Sequence, residues 1–117
     1  MTYRLVVSPL ARADIIDILE WSIDHFGSEV RDGYEELIRA TIELILLEPS
    51  QAGSRARSDL EDGVRSLHLM QGRARVRAGA RRIAKPRHFI VYRQVGDAVH
   101  IARVLHETMD LPQHRLR

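Results

Sequence analysis

The sequence predicts an α+β domain in which a helical hairpin packs on one face of a mainly antiparallel four-stranded sheet. Three observations carry that expectation. The element order reads strand, helix, helix, then three strands. Two consecutive amphipathic stretches, residues 9–26 and 28–47, are joined by little more than Gly27. Two β-branched runs flank Gly96-Asp97 and read as a β-hairpin.

Residues 3–8 are short, apolar and β-branched, which suits a strand. Ser8-Pro9 then starts a helix, with serine as the N-cap and proline at the first helical position. Along that helix Ala11, Ile15, Ile18, Leu19, Ser22 and Phe26 share one face at helical spacing, flanked by Ile16 and Ile23. Asp14, Asp17 and Asp24 fall opposite. Gly27 is the expected C-cap and Ser28 opens the second helix. Its stripe is Val30, Tyr34, Leu37, Thr41, Leu44 and Ile45, with Ile38 beside it and Glu35, Glu36, Arg39 and Glu43 on the far side. Pro49 cannot continue the helix, so it stops near Leu47.

Two such helices form a hairpin whose apolar faces need a sheet to cover them. Residues 49–62 are polar and turn-rich and read as a connection. Residues 63–70 read as a strand, and 89–95 and 98–105 as the hairpin strands around Gly96-Asp97. Residues 71–86 carry two glycines and an arginine at nearly every second position. They either extend the hairpin or form a loop, and periodicity leaves both open. The tail from His106 is polar, and Pro112 argues against a long helix there. No internal repeat or linker divides the 117 residues, so a single domain is expected. The second face of the sheet is left for solvent or a partner.

A net charge of +2 conceals a strong asymmetry. Residues 1–50 hold four arginines and ten acids, whereas residues 51–117 hold fourteen Arg or Lys and six acids. Residues 71–93 alone carry eight basic residues and no acid. Such a field suits an anionic partner, or it is simply a solvated basic loop. With no cysteine, a disulfide framework and a thiolate metal site are both excluded, and a reducing compartment is suited. His25, His68 and His114 lack ligand spacing, so no metal and no cofactor is expected. The N-terminus has no long apolar core, and the longest apolar run, residues 44–47, is too short to span a bilayer. The expectation is a soluble cytoplasmic domain that does not engage membranes.

Four stretches of the chain resemble one known family. Tyr3-Arg4-Leu5-Val6-Val7-Ser8-Pro9-Leu10-Ala11 with Asp14-Ile15 is similar to the N-terminus of ParE-type toxins. Gly63-Val64-Arg65-Ser66 resembles their second strand and His88-Phe89-Ile90-Val91-Tyr92-Arg93 their third. Val99-His100-Ile101-Ala102-Arg103-Val104-Leu105-His106-Glu107-Thr108-Met109-Asp110-Leu111 resembles their ending, an arginine-valine-leucine-histidine strand running into a short tail. The four stand in register over nearly the whole chain, which is identified as a RelE/ParE-superfamily toxin of the ParE-like branch. Residues 71–86 depart from the pattern, being longer and richer in arginine than the short turn expected there.

The resemblance implies a RelE-like β-α-α-β-β-β fold and a two-gene toxin–antitoxin module of the plasmid-stabilisation type. The toxin inhibits a central process, and a labile ParD-like or related antitoxin neutralises it in a hetero-oligomer, wrapping a helix and an extended segment around it. ParE-like members act on DNA gyrase, holding it where cut DNA is not resealed. RelE-like members cut messenger RNA on the ribosome. The leading expectation is a non-enzymatic gyrase poison. The alternatives are a ribosome-dependent endoribonuclease and an inactive binding module on the toxin fold.

A ribonuclease needs basic groups on phosphate and a general acid and base near the 2′-hydroxyl and the leaving oxygen. Arg65, Arg93 and Arg103 are available for phosphate, His68, His88, Tyr92, His100 and His106 for protons, and Glu107 is the nearby acid. Strand alternation puts Arg93 with Phe89 and Val91 but Tyr92 with His88 and Ile90, so no single face collects Arg, Tyr and His. The ribonuclease set is therefore Arg65, Tyr92, Arg103 and His106, each with a structural alternative. Arg65 also suits anchoring of the Asp59/Asp62 turn. Tyr92 suits the core with a bonded hydroxyl. Arg103 suits an ion pair with a helix carboxylate, and His106 a bond that fixes the tail. A gyrase poison needs only a shaped, charged surface. For that role Arg73, Arg75, Arg77, Arg81, Arg82 and Arg87, with Arg103, His106 and the tail to Leu111, form the expected target-facing region. Trp21 projects with Leu10, Asp14 and Asp17 away from the apolar stripe, as a candidate antitoxin or oligomer contact or as a ring covered by a loop or the tail.

Overall fold

The computed structural model describes residues 3–108. The elements are β1 (Arg4–Val7), α1 (Pro9–Phe26), α2 (Ser28–Leu47), β2 (Arg55–Ala56), β3 (Val64–His68), a 3-10 helix (Leu69–Arg75), β4 (His88–Val95) and β5 (Ala98–His106). They form one five-stranded sheet in the order β1-β5-β4-β3-β2, parallel between β1 and β5 and antiparallel elsewhere.

The helix starts and stops follow from local chemistry. The Ser8 hydroxyl accepts from the Ala11 amide at 3.0 Å, and Pro9 supplies the fixed φ of the first turn. Gly27 ends α1 at φ +90°, a value that costs other residues strain. Its amide donates to the Ile23 carbonyl while its own carbonyl receives the Arg31 amide, so one glycine closes α1 and opens α2. Gly96, at φ +60°, is the first of the two residues turning β4 into β5.

The hairpin α1–α2 packs on one face of the sheet. Leu37, Ile45, Leu67, Ile90, Ile101 and Val104 are almost completely buried there. Each such side chain contributes about 1.5–3 kcal/mol of burial free energy. The second face is not open, contrary to expectation. Val64, Phe89, Val91 and Leu105 are all at most 8% exposed, packed with Leu60 and Ala102. Leu60 belongs to the connection, whose turns fold back across β3: the Arg57 amide donates to the Val64 carbonyl, and the Leu60 amide to the Arg57 carbonyl.

Three further departures from the sequence reading have physical causes. The connection between α2 and β3 contains β2, a two-residue edge strand pairing Arg55 with Ser66 and Ala56 with Arg65, so the sheet has five strands rather than four. β3 ends at His68, because the His68 ring accepts from the Met70 amide and caps the 3-10 helix. Ile16, Ile23 and Phe26, read as part of or beside the buried stripe, are 50%, 44% and 61% exposed. The packed face of α1 is narrower, centred on Ala11, Leu19 and Ser22, and Phe26 lies in its last turn. Of residues 71–86, which periodicity leaves open between a hairpin extension and a loop, 71–75 complete the 3-10 helix and the rest is a loop that runs along α2.

β5 carries a bulge. Val91 pairs with Arg103 while Tyr92 pairs with Ile101, leaving Ala102 as the extra residue. Here β1 has already ended, and side chains of the next turns take over the edge. The Ser8 hydroxyl donates to the Ala102 carbonyl, and the Asp14 carboxylate accepts from the Val104 amide.

Candidate functional site

The two charged halves of the sequence meet in space. On α2, Glu29, Glu36 and Glu43 recur every seven residues and so lie along one face. The arginine-rich segment, residues 73–87, runs antiparallel to them as a strap. Arg75 reaches Glu43 at 2.5 Å, Arg77 reaches Glu36 at 3.9 Å, and Arg81 reaches Glu29 at 3.5 Å. The Arg77 amide also donates to Glu36 at 2.8 Å. Arg39, on α2 itself, bridges Glu36 and Glu43. Its guanidinium, helped by Arg77, holds the Glu36 carboxyl down at about 2. Arg75 and then Arg39 hold Glu43 below the usual carboxylate range.

Glycine permits the strap to lie this close. A Cβ on Gly33 would stand 2.6 Å from the Arg81 carbonyl oxygen, and one on Gly72 would stand 2.1 Å from the Thr41 hydroxyl. Between the strap and α2 remains a cavity of about 270 Å³, floored by Gly33 and Leu37 and walled by arginines 73, 77, 81 and 82. Arg82, Lys85 and Arg73 have no acidic partner among the described residues; Arg73 turns to the Met70 sulfur instead. Five of the seven expected target-facing arginines are therefore engaged internally: Arg75, Arg77 and Arg81 with acids of α2, Arg87 with Glu107, and Arg103 with Asp14. The tail to Leu111 lies outside the described residues beyond Thr108.

The four residues of the ribonuclease set are not gathered. Arg65 holds Ser54, its Nε donating to the hydroxyl at 2.7 Å and its Nη2 to the carbonyl at 3.3 Å, rather than the Asp59/Asp62 turn. Tyr92 is fully buried and its hydroxyl donates to the Pro49 carbonyl. Arg103 forms a two-pronged ion pair with Asp14. His106 accepts from the Thr108 amide. Arg65 sits opposite Tyr92, whereas His106 sits opposite His88, four residues along β4. That is a separation of about 13 Å.

A different cluster does form, at the His106 end of the sheet. The Tyr34 hydroxyl bonds His88 Nδ1 at 2.5 Å and accepts from the Arg87 amide at 3.1 Å. The His88 and His106 rings meet edge to face at 5.1 Å. Glu107 takes His68 Nε2 on one oxygen at 2.9 Å and Arg87 on the other at 3.1 Å. Burial, helped by His106, lowers His88 to about 4, and burial raises Tyr34 to about 12. His68 and then Arg87 hold Glu107 below its ordinary value. Both His88 and Tyr34 are thus kept neutral, as suits a clamp joining α2, β4 and β5. Among the described residues no group of three or more His, Asp or Glu is arranged to hold a metal ion, and no helix is long and apolar enough to cross a membrane.

Residues 5–111 match the ParE toxin of type II toxin–antitoxin systems, parDE. The chain belongs to the ParE toxin family. It is 35% identical to Toxin ParE1 of Caulobacter vibrioides over 112 residues, covering 96% of this chain and 95% of that one. The fold is similar to a chain of the chromosomal ParDE system from P. aeruginosa, with a TM-score of 0.67 at 17% identity, over 90% of this chain and 96% of that one.

In this ParE-family chain Trp21 is 54% exposed. It stacks on His25 at 4.1 Å and meets Phe26 edge-on at 5.5 Å, forming an aromatic ledge on the outer side of α1. Sequence spacing found Trp21 but assigned Phe26 to the core. The Tyr34–His88 clamp joins residues 54 apart, and no local pattern announces it. The seven-residue spacing of Glu29, Glu36 and Glu43 was the available sign that something basic lies along α2.

Proposed function

We propose that this ParE-family chain is the toxin of a type II pair, that it inhibits DNA gyrase by trapping the enzyme on cleaved DNA, and that a ParD-like antitoxin neutralises it. The observation that carries the reading is the match to the ParE toxin over residues 5–111. The geometry agrees with a toxin that acts by binding. Tyr92 spends its hydroxyl on Pro49, Arg65 spends its guanidinium on Ser54, and Arg103 is bound to Asp14. The basic surface remaining for gyrase is the strap, where Arg73, Arg82 and Lys85 have no described acidic partner, with His106 and the Glu107-paired Arg87 at its end. The aromatic ledge of Trp21, His25 and Phe26 is the antitoxin contact, a large apolar surface of the kind that anchors protein interfaces.

Purified gyrase acting on relaxed plasmid tests this, with supercoiled and linear DNA both scored. Inhibition with accumulated linear product, reversed by the antitoxin, is the expected result. Folded, growth-inhibiting protein that leaves gyrase untouched at large molar excess would overturn it. Cleavage of ribosome-bound messenger in place of a gyrase effect would move the function to endoribonuclease chemistry, with the histidines around Glu107 as its proton handlers.

A further inference from the structure

We propose that the cavity between α2 and the arginine strap is a binding site for phosphate groups, carried by a free polyphosphate or by a nucleic-acid backbone. The site does not depend on what the toxin inhibits. Its walls bring together Arg73, Arg77, Arg81 and Arg82, and no acid lines it. Glu36 and Glu29 offset Arg77 and Arg81 from the side of α2, at 3.9 and 3.5 Å, and Glu36 is also shared with Arg39. Arg73 and Arg82 have no such counterpart among the described residues. The cavity therefore carries a surplus of positive charge that an anionic ligand would balance.

Size and shape narrow the ligand. About 270 Å³ is the share of roughly nine waters in the liquid, room for a small polyanion but not for a folded partner. Guanidinium forks match the oxygens of phosphate in pairs, and several forks around one space favour a multiply charged anion over a single carboxylate. The wall between the arginines is Ala78, Gly79 and Ala80, with Gly79 at φ +90°. These small residues leave backbone within reach of an oxygen, as in anion-binding turns. Gly33 contributes likewise: any side chain there would collide with the strap and displace the wall.

Calorimetric titration of the purified chain with sodium tripolyphosphate and with a short DNA duplex, at constant ionic strength, tests the site. Saturable binding of at least one probe is expected. The double variant R73A/R82A weakens it by about tenfold or more, the cost of losing a charge-assisted contact. The control R12A/R55A removes the same charge away from the cavity and changes binding by less than about twofold. In the unaltered chain the probe shifts the backbone amide resonances of Gly79 and Ala80, a readout that stands even if R73A/R82A fails to fold. Tripolyphosphate bound without the duplex identifies a free polyphosphate as the ligand; duplex binding displaced by tripolyphosphate identifies the nucleic-acid backbone. No saturable binding of either probe, equal weakening by the two double variants, or resonance shifts confined to other parts of the chain would overturn the proposal.

Discussion

Asp14 grips Arg103 with both carboxylate oxygens, Oδ2 accepting from Nε at 2.7 Å and Oδ1 from Nη2 at 2.9 Å, while Oδ2 also accepts from the Val104 amide. The pair is about 15% exposed on each side and lies where β1 has ended and β5 has no strand neighbour on that side. One helix carboxylate thus completes a sheet edge and ties α1 to the bulged strand. Asp14→Ala removes three hydrogen bonds, each accepted by the charged carboxylate, and is expected to cost about 3 kcal/mol. Urea unfolding measures it; a loss under about 1 kcal/mol would reduce the pair to surface decoration.

Gly72 presses the 3-10 helix against α2. An added Cβ would meet the Thr41 hydroxyl at 2.1 Å and Thr41 backbone at 2.9 Å, and the backbone has nowhere to yield. Gly72→Ala is expected to destabilise by about 1–3 kcal/mol, read as a lower thermal midpoint. An unchanged midpoint would mean that the 3-10 helix is not packed as described.

His88 links stability to pH. Its folded pKa, about 4, lies below the ordinary 6.5, so the fold prefers the neutral ring that Tyr34 bonds beside His106, His68 and Glu107. The contribution is complete above pH 6.5 and drains away as pH falls from 6.5 towards 4. His88→Gln removes the titrating ring, and urea midpoints across that window should then fall less steeply than in the unaltered chain. Parallel curves would take His88 out of the account.

Trp21 separates folding from partner binding. Exposed and stacked only on its helix neighbours His25 and Phe26 among the described residues, it contributes little to the core. Trp21→Ala should leave stability within about 1 kcal/mol and weaken antitoxin binding by about 2 kcal/mol, roughly thirtyfold. Unchanged affinity in a titration with the antitoxin would place the contact elsewhere.

The elements legible in the sequence are those set by neighbours in the chain. Ser8-Pro9, Gly27, Pro49 and Gly96 are local instructions, and the helices and the hairpin begin and end where they say. β2 was not legible, since two residues at an edge carry no periodicity. Nor was closure of the second face, which depends on Leu60 reaching Val64, Phe89, Val91 and Leu105 from a connection that reads as polar. The strap was visible as composition, and its destination was not: ion pairs between residues 75–81 and 29–43 are fixed by tertiary packing. Besides the acid spacing on α2, Gly33 within that helix was a local hint, a residue that weakens a helix unless another chain segment needs the room. At the ribonuclease set, tertiary partners were not legible from residue type. Tyr92 and Arg103 have the right chemistry, but their polar atoms are already committed within the fold.

The order of strands in the sheet bears on when a newly made chain becomes dangerous to its host. Among the described residues β5 is the last strand synthesised, yet it lies between β1 and β4, and it alone there pairs with β1, joining Arg4 to Ala98. Until residue 98 has been added β1 has no neighbour, and both cores lack the wall supplied by Val99, Ile101, Val104 and Leu105. Pairing between such distant residues is also slow, because the intervening chain must be brought together first. Whatever the finished surface attacks, translation through β5 precedes the attack. An antitoxin made alongside has that interval in which to accumulate.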